Sequence, residues 1–396
     1  MSFIKNKKQN IDDYLKFFST TRYNIAIFID VIKNDDIGKY IVDVVNYFVN
    51  NNVGVLIITN RCDILNLFDI KVAVNTEYKN NVFNIFNNIN RISFLCKKYK
   101  IDIINSYSMS ISHIAYFVSK KNKIHFLNTF FEEPDISSRW KYFLSSVVKK
   151  SEKNICTSKK LCEFLINNFN IPTDRFYIDN YGIDIGEYKI SNIKKGRVID
   201  IATSINVDMN DKRILLYSCN FVSQFKEISF LISVLSKIKR DDFIVVLIGD
   251  FNNTKHYRAE IVKQIYEEKI SKKVVLMKQI TDIQPLYLLS YATIYLSNKN
   301  EFMKKNIIES YLTKRPVIAT NIGCLSNYII DNNTGFLVRK NSFTETQNAI
   351  ENMLDLTDVE YSRMCENGYK YAVNYFDFNK NIKTLDNMLY ELVLKK

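Results

Sequence analysis

Two carboxylates and several lysines are spaced so that they could act on one ligand. Glu301 and Glu309 are separated by seven residues, with Met303, Lys304 and Lys305 between them, and they follow the apolar run Thr293–Leu296. An apolar run, a short polar stretch and an amphipathic segment predict a strand, a loop and a helix. A loop entering a helix presents free backbone N–H groups at the positive end of the helix dipole, and a phosphate suits that position. Upstream, Lys226 follows the apolar run Ile214–Ser218 across a short loop. A fixed cation beside a departing phosphate stabilises negative charge as it grows in the transition state. Taken alone, two glutamates at this spacing could equally lie on a solvated helix, and Lys226 could be an ordinary surface lysine.

The elements that must position these residues repeat along the chain. Ile25–Ile29, Val53–Ile58, Ile101–Ile104, Ile124–Leu127 and Lys153–Thr157 read as short buried strands. Amphipathic segments lie between them; in Tyr40–Asn50, Ile41, Val44, Val45 and Phe48 share one helical face. Strands buried on both faces and joined by helices form parallel sheets. The pattern pauses in the polar stretch Ile190–Asp211. It restarts with Ile214–Ser218, Phe243–Ile248, Val274–Met277, Ala292–Leu296, Pro316–Ala319 and Phe336–Val338. The chain has 396 residues, and at roughly 100–200 residues per domain it divides naturally into two. The expected division is 1–190, joined by a C-terminal helix 372–396, and 191–371. Two successive doubly wound units usually place a ligand at the carboxyl ends of their strands.

Residues 293–338 carry a more specific pattern: the strand, Glu301, Glu309, then Arg315-Pro-Val-Ile-Ala-Thr320 and Asp331-Asn-Asn-Thr-Gly335-Phe-Leu-Val338. In that order they resemble the retaining glycosyltransferases of family 4, which include bacterial glycogen synthases and lipid mannosyltransferases. Ile214–Glu227 is similar to that family's strand, Gly-Arg, loop and Lys-Gly element. Asp179-Asn-Tyr-Gly182-Ile183-Asp184 is similar to its N-G-I-D, and Val246-Leu-Ile-Gly249-Asp250 to its I-V-G-D-G strand end. The resemblance implies an α/β chain of the GT-B fold, two doubly wound Rossmann-like domains with a central cleft. It implies transfer of a hexose from a nucleotide-diphosphate sugar to a glycan, lipid-linked or protein acceptor, with retention. By the same resemblance Glu301 contacts the sugar hydroxyls and Glu309 the ribose diol. Lys226 neutralises the diphosphate, and the backbone of Met303, Lys304 and Lys305 approaches it. Lys278 and Ile280 fall where the family packs the base, and Gly38 where it has a Gly-rich turn near the diphosphate. Lys226 and Glu301 are the expected catalytic residues. No cofactor and no metal is expected.

The chain departs from the family in places. Asn220 stands at the usual Arg position, Thr129-Phe130-Phe131 where a His is expected, and Cys324 and Asn333 at glycine positions. Neither Asn nor Lys reproduces a bidentate Arg–phosphate contact. Lys304 or Lys305 could supply the lost charge; the alternative is a non-catalytic, nucleotide-binding scaffold of the same fold.

The net charge is +13, with 55 Lys+Arg against 42 Asp+Glu. Residues 1–200 hold 29 basic and 20 acidic side chains, a balance of +9; the remaining 26 and 22 give +4. The first half therefore suits an anionic surface better than the second. Arg139–Lys150 places the single Trp, Trp140, in a basic, apolar run, which reads either as a membrane-interface helix or as a core-packing helix with a basic face. Seven scattered Cys, with no C-x-x-C pair, read as reduced core thiols. No secretory signal or transmembrane-length apolar run is present. The expected location is the cytoplasm, at or near the inner face of a membrane. No nucleic-acid-binding motif occurs, and no G-x-G-x-x-G follows Ile25–Ile29, which disfavours a Rossmann dehydrogenase.

Overall fold

The computed structural model describes residues 11–69, 71–75, 85–180, 182–186, 188, 193–205, 212–219, 224–249, 255–280, 282–298 and 305–395. Asn220, Glu301, Met303 and Lys304, all expected at the site, lie outside the described residues. The chain forms two compact units, Met1–Tyr181 with Asn379–Lys396, and Gly182–Phe378. Each is a helix-covered parallel sheet.

The first unit contains strands β1 (Asn24–Phe28), β2 (Gly54–Ile58), β3 (Ala73–Asn75), β4 (Ile103–Ser106), β5 (His125–Phe130), β6 (Lys153–Cys156) and β7 (Phe176–Ile178). They pair in parallel in the order β3-β2-β1-β4-β5-β6-β7. All five residues of β1 and of β2 are buried, with no alternation, as a sheet covered on both faces requires. The helix Asp36–Asn50 buries Ile41, Val44, Val45 and Phe48, the face expected from its periodicity. The short strands β3 and β7 had no comparable signal, because three residues cannot display a period.

The C-terminal helix Phe378–Leu394 belongs to this unit from Asn379 onward. Asp386 explains why. Its carboxylate is 3% exposed and accepts from the Tyr23 hydroxyl at 2.8 Å and the Arg22 guanidinium at 3.0 Å. The Arg22 guanidinium also lies 4.8 Å from the centre of the Tyr390 ring.

The second unit contains β8 (Arg213–Ser218), β9 (Phe243–Gly249), β10 (Val274–Lys278), β11 (Ala292–Tyr295), β12 (Val317–Thr320) and β13 (Gly335–Val338). Their order is β10-β9-β8-β11-β12-β13, all parallel. In both sheets the order of the first six strands is third, second, first, fourth, fifth, sixth. This is the doubly wound arrangement, in which the crossover direction reverses between the first and fourth strands. The segment after Tyr181 goes with the second unit: Ile183 bridges to Asp377, and its N–H donates to the Phe376 carbonyl at 3.0 Å.

The Asp331–Val338 motif is a turn that starts an edge strand. Asp331 accepts from the Leu337 N–H at 2.8 Å, and the Thr334 hydroxyl accepts from the Ile330 N–H at 3.0 Å. Gly335 is demanded by packing, since a Cβ there would meet the Val317 carbonyl oxygen at 1.9 Å. Among the described residues no helix is long and apolar enough to cross a membrane.

Candidate active site

Parallel strands put all their carboxyl ends on one edge, and the residues singled out in the second unit follow those ends. Lys226 is in the first turn of the helix Phe225–Lys237 that follows β8. Lys278 closes β10, and Ile280 lies two residues beyond. Lys305 opens the helix Lys305–Leu312 after β11, and Glu309 lies one turn further along it. β8 and β11 are the neighbours between which the winding reverses, so this edge is where a doubly wound sheet opens a ligand crevice.

The loops at this edge are held by side chains as well as by the sheet. The Tyr217 hydroxyl donates to the Leu296 carbonyl at 3.2 Å, and the Gln224 amide donates to the same oxygen at 3.4 Å. Glu227, beside Lys226, is only 7% exposed. Its carboxylate accepts the Asn298 N–H at 3.1 Å. The Lys340 ammonium donates to the Asn298 carbonyl at 2.9 Å. Asn298 is thus gripped on both sides, three residues before Glu301 in the chain.

Glu309 is buried, 5% exposed. One carboxylate oxygen accepts from the Tyr188 hydroxyl and lies 3.6 Å from the Lys305 ammonium; the other accepts from the Tyr287 hydroxyl at 3.0 Å. Burial and the neighbouring carboxylate push the Tyr287 hydroxyl well above its ordinary 10, so it remains a donor. A carboxylate's two oxygens offer about four lone-pair positions; the two tyrosine hydroxyl donors therefore fix Glu309 without exhausting it. Lys305 leans over the Tyr188 ring at 6.0 Å from its centre.

Lys226 and Lys278 are exposed and, among the described residues, make no ion pair or hydrogen bond. They are free to meet an anion. Ile280 instead packs on the core cluster that includes Leu216, Ile248 and Tyr287. Gly38 belongs to the first unit. It lies in the first turn of Asp36–Asn50, and its N–H donates to the Asp35 carboxylate at 2.9 Å. A Cβ at Gly38 would meet the Lys33 carbonyl oxygen at 1.9 Å, so the glycine is required sterically and its amide is committed to the cap.

Tyr188, Tyr287, Glu227 and Lys340 were not among the residues singled out from sequence. Only Glu227 carried a usable signal: it replaces a glycine after Lys226 in the motif, and a carboxylate in place of a glycine needs a partner. The tyrosines gave none, because this chain has 25 of them and burial decides which matter.

Residues 202–371 match the family described as glycosyl transferases group 1. An uncharacterized glycosyltransferase of Methanocaldococcus jannaschii is 25% identical over 323 residues, covering 76% of this chain and 82% of that protein. A glycosyltransferase from Rickettsia africae superposes with a TM-score of 0.82 at 24% identity, covering 94% of this chain and 99% of that one. Anabaena HepE in complex with UDP superposes with a TM-score of 0.78 at 15% identity, covering 93% and 100%; it is also known with UDP and glucose and with UDP-glucose. The two parallel-sheet units thus have the GT-B fold expected from the sequence, and the family model that matches lies within the second.

Proposed function

We propose that this chain, whose residues 202–371 form a glycosyl transferases group 1 domain, transfers a hexose from a nucleotide-diphosphate sugar to a glycan, lipid-linked or protein acceptor, with retention. The observation that carries the reading is the gathering of Lys226, Lys278, Lys305 and the anchored Glu309 along the carboxyl edge of the second sheet. Among the described residues two of these cations, Lys226 and Lys278, have no side-chain partner, which suits a diphosphate. Lys226 and Lys305 neutralise the charge that grows on the leaving diphosphate. Glu309, held by Tyr188 and Tyr287, keeps lone pairs for the ribose hydroxyls. Glu301 takes the sugar hydroxyls, and the Met303–Lys305 backbone the diphosphate, by resemblance. The Lys278–Ile280 segment receives the base. UDP is the first donor nucleotide to test, because a structural neighbour binds it.

The same reading extends to a lipid surface. Trp140 and Phe143 are 67% and 60% exposed and stack at 5.9 Å, flanked by Arg139, Lys149 and Lys150. An exposed aromatic pair beside basic side chains suits an anionic membrane interface.

The test is thermal stability with UDP, GDP, ADP and CMP, each alone, for wild type and Lys226→Ala, followed by sugar transfer assays. Ligand at about 100 times its Kd should stabilise by about 2.7 kcal/mol. One diphosphate shifting wild type but barely the variant supports the reading. No shift from any nucleotide and no transfer would refute it in favour of a scaffold role.

A further inference from the structure

A cavity of about 450 Å³ lies wholly within the second unit, at the end of the sheet opposite Lys226 and Lys305. Asn332 and Asn333, in the turn before β13, and Phe336, the second residue of that strand, form one wall. The last turn of the helix Phe343–Asp355 and the first three turns of the helix Asp358–Tyr375 form the others. A helix that follows a parallel strand runs back along the sheet, so the end of Phe343–Asp355 marks the amino edge of the strands. That helix has 13 residues and spans about 20 Å, so a ligand bound here is far from the donor edge.

The chemistry of the walls is that of amides. Four of the ten residues that line the cavity are asparagines, against 46 of 396 in the chain; the gathering exceeds what composition supplies. Asn332 donates to its neighbour Asp331 at 3.2 Å. The side chains of Asn333, Asn352 and Asn367 have no hydrogen-bond partner among the described residues. Each amide offers two donors and a carbonyl acceptor, and adjacent sugar hydroxyls, which both donate and accept, match that set. Phe336, Leu356 and Met364 supply apolar surface between the amides, where the C–H face of a sugar ring can lie. The volume is within the range of about 300–1,000 Å³ usual for ligand sites.

The charges of the walls are already committed. The Asp355 carboxylate accepts from the Arg240 guanidinium. Glu360 closes the capping box with Thr357, accepting from its N–H at 3.0 Å and its hydroxyl at 2.7 Å. Asp358 and Glu360 place negative charge in the first turn of their helix and offset the positive dipole end that would otherwise draw an anion. Arg363 shares the walls with Asp355 and Glu360, so an entering anion would gain one guanidinium and face two carboxylates.

We infer that this cavity binds a neutral oligosaccharide through its asparagine amides, as an anchoring site separate from the donor edge. Its use as an anchor for a glycan under synthesis rests on the glycosyltransferase reading; the binding itself does not.

The experiment is saturation-transfer NMR on the full chain without nucleotide, with maltotetraose, cellotetraose, N-acetylchitotetraose and tetragalacturonate as probes. At least one of the three neutral probes should receive saturation. Tetragalacturonate, which carries four carboxylates, should bind at least about tenfold more weakly, equivalent to about 1.4 kcal/mol. Asn333→Ala/Asn352→Ala removes two exposed amides without partners; it should weaken the neutral probe about tenfold and leave the melting temperature unchanged. Lys226→Ala should leave saccharide binding intact. No saturation of any neutral probe, undiminished binding in the asparagine variant, or equal binding of tetragalacturonate overturns the inference. The thermal shift with UDP, read in the same preparation, separates the two ideas. A UDP shift without saccharide binding removes the anchoring site and leaves the glycosyltransferase reading. Saccharide binding abolished by the asparagine variant, with no response to any nucleotide, does the reverse.

Discussion

The carboxylate of Glu227 accepts the main-chain N–H of Asn298 at 3.1 Å, joining the helix that carries Lys226 to a residue three positions before Glu301 in the chain. Removing it leaves a part-buried N–H without its partner, which costs about 1 kcal/mol. Glu227→Ala should lower stability by that amount and reduce kcat about tenfold or more, since small misplacements of reacting groups are expensive. Glu227→Gln keeps an acceptor oxygen and should recover most of both. Denaturant unfolding and steady-state kinetics check this; equal loss in Ala and Gln would show that charge, not the hydrogen bond, matters.

Glu309 is held by two tyrosine hydroxyls and a lysine. Tyr287→Phe should cost about 1–3 kcal/mol, because it strips a donor from a buried carboxylate. Tyr188→Phe and Glu309→Gln measured singly and together should show a coupling energy of about 0.5–3 kcal/mol. The same phenylalanine variants should weaken the UDP-induced thermal shift. Additive effects would mean that the tyrosines and the carboxylate do not act as a unit.

Asp179 is buried in the first unit and accepts from the Tyr40 hydroxyl at 2.6 Å. Burial raises its pKa from the ordinary 3.8 to about 6, against the lowering effect of Tyr40. Tyr107 and Tyr177 are pushed up chiefly by their own burial and further by the charge of Asp179. Because the folded pKa is raised, the folded state binds more protons than the unfolded one between about pH 4 and 6. The native carboxyl's contribution is therefore complete below pH 3.8 and lost as pH rises through about 6, on the order of 3 kcal/mol. The Tm difference between Asp179→Asn and wild type should rise in the variant's favour across that window and level off above it. A difference independent of pH would show that Asp179 titrates normally.

Asp386 ties the C-terminal helix to Arg22 and Tyr23. Leaving a buried partner uncompensated costs about 3–5 kcal/mol, less here because Arg22 is one-third exposed; about 2–3 kcal/mol is expected for Asp386→Ala. Tyr23→Phe should cost about 1 kcal/mol. Ending the chain at Phe378 should destabilise the first unit more than either substitution, as read by urea unfolding.

Trp140 and Phe143 should bring the protein to anionic vesicles. Co-sedimentation with phosphatidylserine-containing liposomes at low salt should fall several-fold in Trp140→Ala/Phe143→Ala, and the melting temperature should change little because both rings are exposed. Wild type remaining in the supernatant would remove the membrane contact.

Much of this molecule was legible without coordinates. Unbroken buried runs of five to seven residues such as Asn24–Phe28 and Phe243–Gly249, too short for buried helices and alternating with amphipathic segments, read as strands covered on both faces and so as parallel α/β units. The ordered motifs between Thr293 and Val338 carried the resemblance in the second unit, because each is a local device: a strand end, a helix start, a turn needing Gly335. What the sequence could not say was which side chains hold the site in shape. Tyr188 lies 121 residues from Glu309 and Asn298 lies 71 from Glu227, and nothing local links them. The acidic cluster at the carboxyl end of the first unit's sheet was hidden for the same reason. Charge summed along residues 1–200 gives +9, yet folding collects Asp35, Glu132, Glu133 and Asp135 at one end of one sheet. Sequence patterns set which elements form; only the close approach of distant segments decides what a cavity will bind.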